Sequence, residues 1–233
     1  MSRKKETFLL IDVETANTTQ DALVYDIGYI VANRSEILET HSFIISDIFE
    51  GEKNLMKSAY YAEKIPFYYN GLHNNEFILT NFYSLRRRFY DLFKRYNIKK
   101  IYAYNAHFDI TALNTTLRFL TGSKYRFFFP YGVEIGCIWS MACQVICTQK
   151  KYIQFCIENN FVSSSGNIST SAETVYRYMQ KLPEFDEAHT GLQDVLIEYE
   201  ILKKCFAQHK KMNTKINRLC WKIPQKARKE KGL

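Results

Sequence analysis

The chain has 233 residues, of which 46% are hydrophobic and 15% aromatic, and it carries a formal net charge of +8. Such a composition supports a sizeable core and excludes disorder over most of the length, and the positive charge points to a polyanionic partner such as nucleic acid. The basic start Ser2-Arg3-Lys4-Lys5 precedes only four consecutive apolar residues before Asp12, so neither a signal peptide nor a membrane span is predicted.

No Pro/Gly/Ser-rich linker divides the chain, and the sequence predicts one domain over residues 1–210 with a solvated basic tail over 211–233. Phe8–Thr15 reads as a strand in which Leu9, Ile11 and Val13 share one face and Phe8, Leu10, Asp12 and Glu14 the other. Leu23–Ala32 and Ile37–Ile45 read as two further strands joined by a hairpin turn at Asn33–Glu36. Residues 47–72 carry no clear period. From Asn74 or Asn75 to about Tyr96, Phe77, Leu85, Phe89, Leu92 and Phe93 recur at helical spacing and predict one long amphipathic helix.

Ile101–Tyr104 follows as a short strand, and a helix from about His107 to Leu120 buries Ile110, Leu113, Leu117 and Leu120 while leaving Asp109 off that stripe, with Gly122 as its stop. Tyr125–Gly136 reads as loop, Ile138 to about Asn159 as mostly helical, and Ala172–Gln180 as a short helix before Pro183. Thr190 followed by Gln193 is a capping-box pattern, and Leu192, Val195, Leu196, Tyr199, Leu202 and Phe206 supply the apolar face of the helix it opens. The six cysteines include no Cys-x-x-Cys pair and no zinc-like spacing with histidine, so they are read as reduced residues of a cytoplasmic protein. Cys143 and Cys147 are read as a packed helix face.

Two carboxylates on one strand face are about 6–7 Å apart at the Cα atoms, close enough to converge on a metal ion or a metal pair. Alone, Asp12 and Glu14 are more simply a solvated strand end, Asp109 a solvated helix residue, Asn105 a helix cap and His189 a surface histidine. Their joint order changes that reading. Asp12-Val-Glu14-Thr15, Asn105-Ala-His-Phe-Asp109 and His189-x4-Asp194, on a strand end, a strand-to-helix junction and a helix start, resemble the three motifs of the DEDD exonuclease family in its histidine (DnaQ-like) subtype. Gly191 stands where that family usually has Ala.

The resemblance spans about Phe8 to Phe206 and implies an α/β ribonuclease H-like fold: a mixed five-stranded sheet, its first three strands antiparallel, flanked by helices. It implies a 3′-to-5′ exonuclease using two Mg²⁺ or Mn²⁺ ions held by Asp12, Glu14, Asp109 and Asp194, with His189 as general base. Thr15, Ala16, Asn105 and Phe108 would contact substrate, Thr15 and Ala16 lining the terminal-nucleotide pocket and Phe108 packing beneath the site. The implied partner is a single-stranded DNA or RNA 3′ end, DNA first, with a DNA polymerase or replication partner possible and no membrane. The alternatives are an exoribonuclease and an inactive nucleic-acid or polymerase-binding module. The basic tail is read as a sequence-independent phosphate contact, and Arg86-Arg87-Arg88 with its neighbouring aromatics as mostly a helix packed into the core.

Overall fold

The computed structural model describes residues 6–233, so the basic start Ser2–Lys5 lies outside the described residues. Six strands are formed: β1 (Phe8–Ala16), β2 (Leu23–Ala32), β3 (Ile37–Ile45), β4 (Ile78–Thr80), β5 (Lys100–Ala103) and β6 (Glu134–Cys137). The helices are α1 (Ser46–Phe49), α2 (Lys53–Lys57), α3 (Ile65–His73), α4 (Phe82–Tyr96), α5 (Ala106–Thr121), α6 (Ile138–Val145), α7 (Lys150–Glu158), α8 (Ala172–Gln180), α9 (Gly191–Phe206) and α10 (Lys222–Glu230), with a 3₁₀ turn at Ala62–Lys64. The strands lie in the order β4-β3-β2-β1-β5-β6. The chain divides into two compact units, the first holding the described residues up to Ile101 with Phe108–Glu134 and His189–Val195.

In the first unit β1 pairs antiparallel with β2, and β2 antiparallel with β3, as the alternation and the Asn33–Glu36 turn predict. Every residue of β2 is buried, which is why it reads as a continuous apolar run. Tyr29 of β2 meets Phe89 of α4 edge-on at 5.2 Å, and Phe89 meets Phe128 at 5.4 Å. Burying each such ring stabilises the fold by about 1.5–3 kcal/mol, so α4 is fixed by its apolar stripe.

The sheet has six strands where five were expected, because β4 and β6 are too short to show a period. Ile78–Thr80, expected as helix, pairs parallel with Phe43–Ile45. The helix starts later because Asn81 caps it, its side-chain oxygen accepting the Ser84 N–H at 2.8 Å. Arg86 donates to the Phe128 carbonyl at 3.0 Å, and Arg88 bonds Tyr29 and Glu39 at 3.0 and 3.2 Å, so two of the three clustered arginines tie α4 to its surroundings. Gly122, at φ +65°, ends α5 as expected.

The second unit comprises Tyr102–His107, Ile135–Ala188 and Leu196–Leu233. The expected helix 138–159 is broken into α6 and α7 because Gln149 is extended, at φ −69° and ψ 138°, and starts α7 as its cap. All six cysteines are free and buried here, Cys143 and Cys147 among them. The segment from 211, expected as a solvated tail, is packed: Thr214 accepts the Cys137 N–H at 2.7 Å, Ser140 accepts the Asn217 N–H at 3.0 Å, and Cys220, Pro224 and Ala227 are buried. Its basic side chains lie on a helix whose other residues reach the core. Among the described residues no helix is long and apolar enough to cross a membrane.

Candidate active site

All four acids and the histidine singled out in the sequence fall in the first unit. In β1, Asp12 is paired with Gly28 and Glu14 with Asp26, and directly opposed residues of an antiparallel pair share a face. One face therefore carries Asp12, Glu14, Asp26 and Gly28. The register shifts between Glu14 and Thr15, a bulge that turns the strand just where its carboxylates end. Asp12, Glu14 and Thr15 are half-buried and Ala16 is fully buried.

The start of α9 is brought onto that face by two features. The Gly191 N–H donates to Oδ2 of Asp26 at 3.0 Å, and the same carboxylate accepts the Tyr68 hydroxyl at 2.9 Å and the Ser42 hydroxyl at 3.3 Å. Burial pushes the Asp26 carboxyl up to about 6, against those hydrogen bonds, which favour its charged form. Beside it the backbones of Gly28 and Gly191 touch. A Cβ on Gly28 would lie 2.1 Å from the Gly191 carbonyl carbon, and one on Gly191 would lie 2.4 Å from the Gly28 nitrogen and 3.0 Å from the Asp12 carbonyl oxygen. A residue with a side chain at either position forces the helix start off the strand.

The result is a cluster. One ligand atom each of Glu14, His189 and Asp194 lie within 4.8 Å of one another. Asp12 is one pleat earlier on the strand face that carries Glu14. Asp109, in the first turn of α5, is 4% exposed and accepts the backbone N–H of Val13, between the two strand carboxylates; burial pushes it up to about 7. The two carboxylates are hard oxygen donors suited to a small divalent cation, and the imidazole stands beside them. Phe108 is half-buried at the start of α5, and Asn105 falls in the second unit and is exposed.

No family model and no curated protein matches the sequence. Solved structures do. Escherichia coli Exonuclease I in complex with a 5cy-dA13 oligonucleotide superposes with a TM-score of 0.53 at 14% identity, over 85% of this chain and 40% of that one. The complex with a 5cy-dT13 oligonucleotide gives 0.53 at 13% identity, over 88% and 41%, and the zinc ion bound ExoI–ssDNA complex gives 0.51 at 13%, over 88% and 41%. The chain has a ribonuclease H-like fold. It spans about two fifths of the length of the exonuclease I chains it matches.

Five residues around the candidate site were not picked out in the sequence. Asp26 and Gly28 left a signal: an acid and a glycine inside an otherwise apolar, fully buried strand ask for a polar partner and a close backbone approach. Tyr68, Tyr61 and Lys64 left none, because they lie in the stretch without a period. Lys64 donates to the His189 carbonyl at 3.2 Å, and the Tyr61 ring stacks on the His189 ring at 4.6 Å.

Proposed function

We propose that the chain is a metal-dependent 3′-to-5′ exonuclease that releases nucleoside monophosphates from single-stranded ends, DNA in preference to RNA. The observation that carries this reading is the convergence of Glu14 and the His189–Asp194 turn, residues 175 or more positions apart that the fold collects into one cluster.

Asp12, Glu14, Asp194 and, from α5, Asp109 are the residues that would hold two Mg²⁺ or Mn²⁺ ions. Divalent ions held by these residues would neutralise charge on the scissile phosphate and the departing 3′ oxygen and would lower the pKa of the attacking water. The imidazole of His189 takes the proton as that water attacks phosphorus and the bond from phosphorus to the 3′ oxygen breaks. Asp109 is buried and accepts the Val13 N–H, on the strand that carries Asp12 and Glu14. Thr15, half-buried just past the bulge, lines the place of the terminal nucleotide, with Ala16 buried behind it and Phe108 beneath.

The exonuclease I structures of the same fold hold oligodeoxynucleotides, which supports DNA as the polymer. Free buried thiols suit a reducing, cytoplasmic setting. The test is digestion of matched end-labelled DNA and RNA single strands with Mg²⁺ or Mn²⁺, beside Asp12→Ala and an EDTA control. The reading expects a ladder from the 3′ end that disappears in both controls. Binding without cleavage of either strand overturns it in favour of a nucleic-acid-binding module.

A further inference from the structure

We propose that Tyr61 and Lys64 are positioning residues for His189, setting the plane of its ring and the backbone that carries it; this rests on the reading of His189 as the proton acceptor. The first observation is conformational. His189 sits at φ +48°, in the left-handed region, which is unfavourable for a residue with a side chain and persists only where the surroundings determine it. Its neighbours on either side, Ala188 and Thr190, belong to no helix or strand, so local secondary structure does not impose that backbone.

The 3₁₀ turn Ala62–Lys64 holds it from outside the segment. The Lys64 ammonium donates to the carbonyl oxygen of His189 itself at 3.2 Å, which fixes the peptide that follows the left-handed residue. Tyr61, the residue before the turn, lies flat on the imidazole, with centroids 4.6 Å apart and planes 17° from parallel. The two holding groups are themselves coupled: the Lys64 ammonium is 4.5 Å above the Tyr61 ring, and the Lys64 N–H donates to the Tyr61 carbonyl at 3.0 Å. Tyr60 braces the outer side, its ring edge-on to Tyr61 at 4.8 Å and 88°.

A stacked ring limits rotation of the imidazole about its own bond and covers one face, so the nitrogens in the ring edge are what remain to be aimed. The edge is the part that meets Glu14 and Asp194. Tyr61 supplies a flat surface for this and needs no hydroxyl, whereas Lys64 acts through the backbone and needs a donor. Two consequences separate positioning from mere packing. Phenylalanine at 61 serves as well as tyrosine, and Tyr61 ceases to matter once the imidazole is gone.

The experiment is steady-state exonuclease kinetics on a 3′-labelled single strand with Mn²⁺ for the parent, Tyr61→Phe, Tyr61→Leu, Lys64→Met and His189→Ala, and for Tyr61→Leu combined with His189→Ala. Melting curves and the ring-proton NMR shifts of His189 accompany them. Expected are a kcat lower by about 10- to 100-fold in Tyr61→Leu and Lys64→Met with KM little changed, parent-like kcat in Tyr61→Phe, and no further loss when Tyr61→Leu is added to His189→Ala. The His189 ring protons should also lose their upfield ring-current shift in Tyr61→Leu while the melting temperature stays near the parent's. An active parent that loses turnover in His189→Ala but not in Tyr61→Leu overturns the positioning role and leaves the proposed function standing. Additive losses in the double variant overturn it as well. A parent without nuclease activity overturns both.

Discussion

The proposed site draws on two halves held by different physics. Asp12 and Glu14 stand on β1, whose nine residues from Phe8 to Ala16 are each paired with β2; their positions are averaged over a ladder, and no single contact decides them. His189 and Asp194 stand on a turn and a helix start tied down by one buried carboxylate, one glycine-to-glycine contact and the Tyr61–Lys64 turn. The strand half is robust because its restraints are many. The helix half is precise but depends on a few residues, and damage there should separate activity from folding.

The largest effect expected is at the acids. Asp194→Ala and Glu14→Ala should each lower turnover by about 10³-fold, read from initial rates on a 3′-labelled strand. Gly191→Ala comes next. A single methyl placed 2.4 Å from the Gly28 nitrogen cannot be accommodated without movement, and overpacking of this kind costs about 1–3 kcal/mol. The displaced helix start should lower kcat by about 100-fold, with β1 and the rest of the fold intact by circular dichroism. Parent-like activity in Gly191→Ala would erase the contrast between the halves.

Asp26 sharpens the comparison through pH. Its carboxyl titrates near 6 in the folded chain against an ordinary 3.8, so the folded state holds this proton more tightly than the unfolded one. The stability this contributes is complete below about pH 4, falls as pH rises from there to about 6, and is gone above; a shift of about two units corresponds to roughly 3 kcal/mol. Asp109, also raised, adds a slope of the same sign up to about pH 7. Urea unfolding between pH 4 and 7 should therefore show a gentler decline in Asp26→Asn than in the parent. Equal slopes would remove Asp26 as the buried anchor.

The smallest effect expected is in the packed basic segment. Lys222 and Lys229 are exposed on α10, and replacing both with Ala should reduce the salt dependence of single-strand binding by about 0.7 per lost phosphate contact, with turnover at saturation unchanged. An unchanged slope would take α10 out of the nucleic-acid surface.

The strand half was legible in the sequence and the helix half only in part. Alternation placed Asp12 and Glu14 on one face of β1, and the apolar stripe from Leu192 to Phe206 fixed the helix that carries Asp194, because both signals are local and periodic. The clamp between the halves was not legible. Asp26 and Gly191 are 165 positions apart, and nothing local in either predicts the other. Tyr61 precedes and Lys64 ends a 3₁₀ turn of three residues, too short for any period to emerge. Strands β4 and β6 escaped for the same reason, since their pairing comes from neighbours in space. The tail escaped for another: its charge density suggests a solvated segment, while the residues that pack it, Cys220, Pro224 and Ala227, are scattered singly among the lysines and arginines.

The measurement that bears most directly on the account is the titration of Mn²⁺ into the parent, Asp12→Ala and Asp194→Ala, followed by electron paramagnetic resonance of the free ion. If the strand half and the helix half form one site, either substitution alone should remove most of the Mn²⁺ binding, although the two residues lie on different elements. Binding by Asp194→Ala with the parent's affinity and stoichiometry would contradict the account, leaving the β1 carboxylates as a separate acidic strand end.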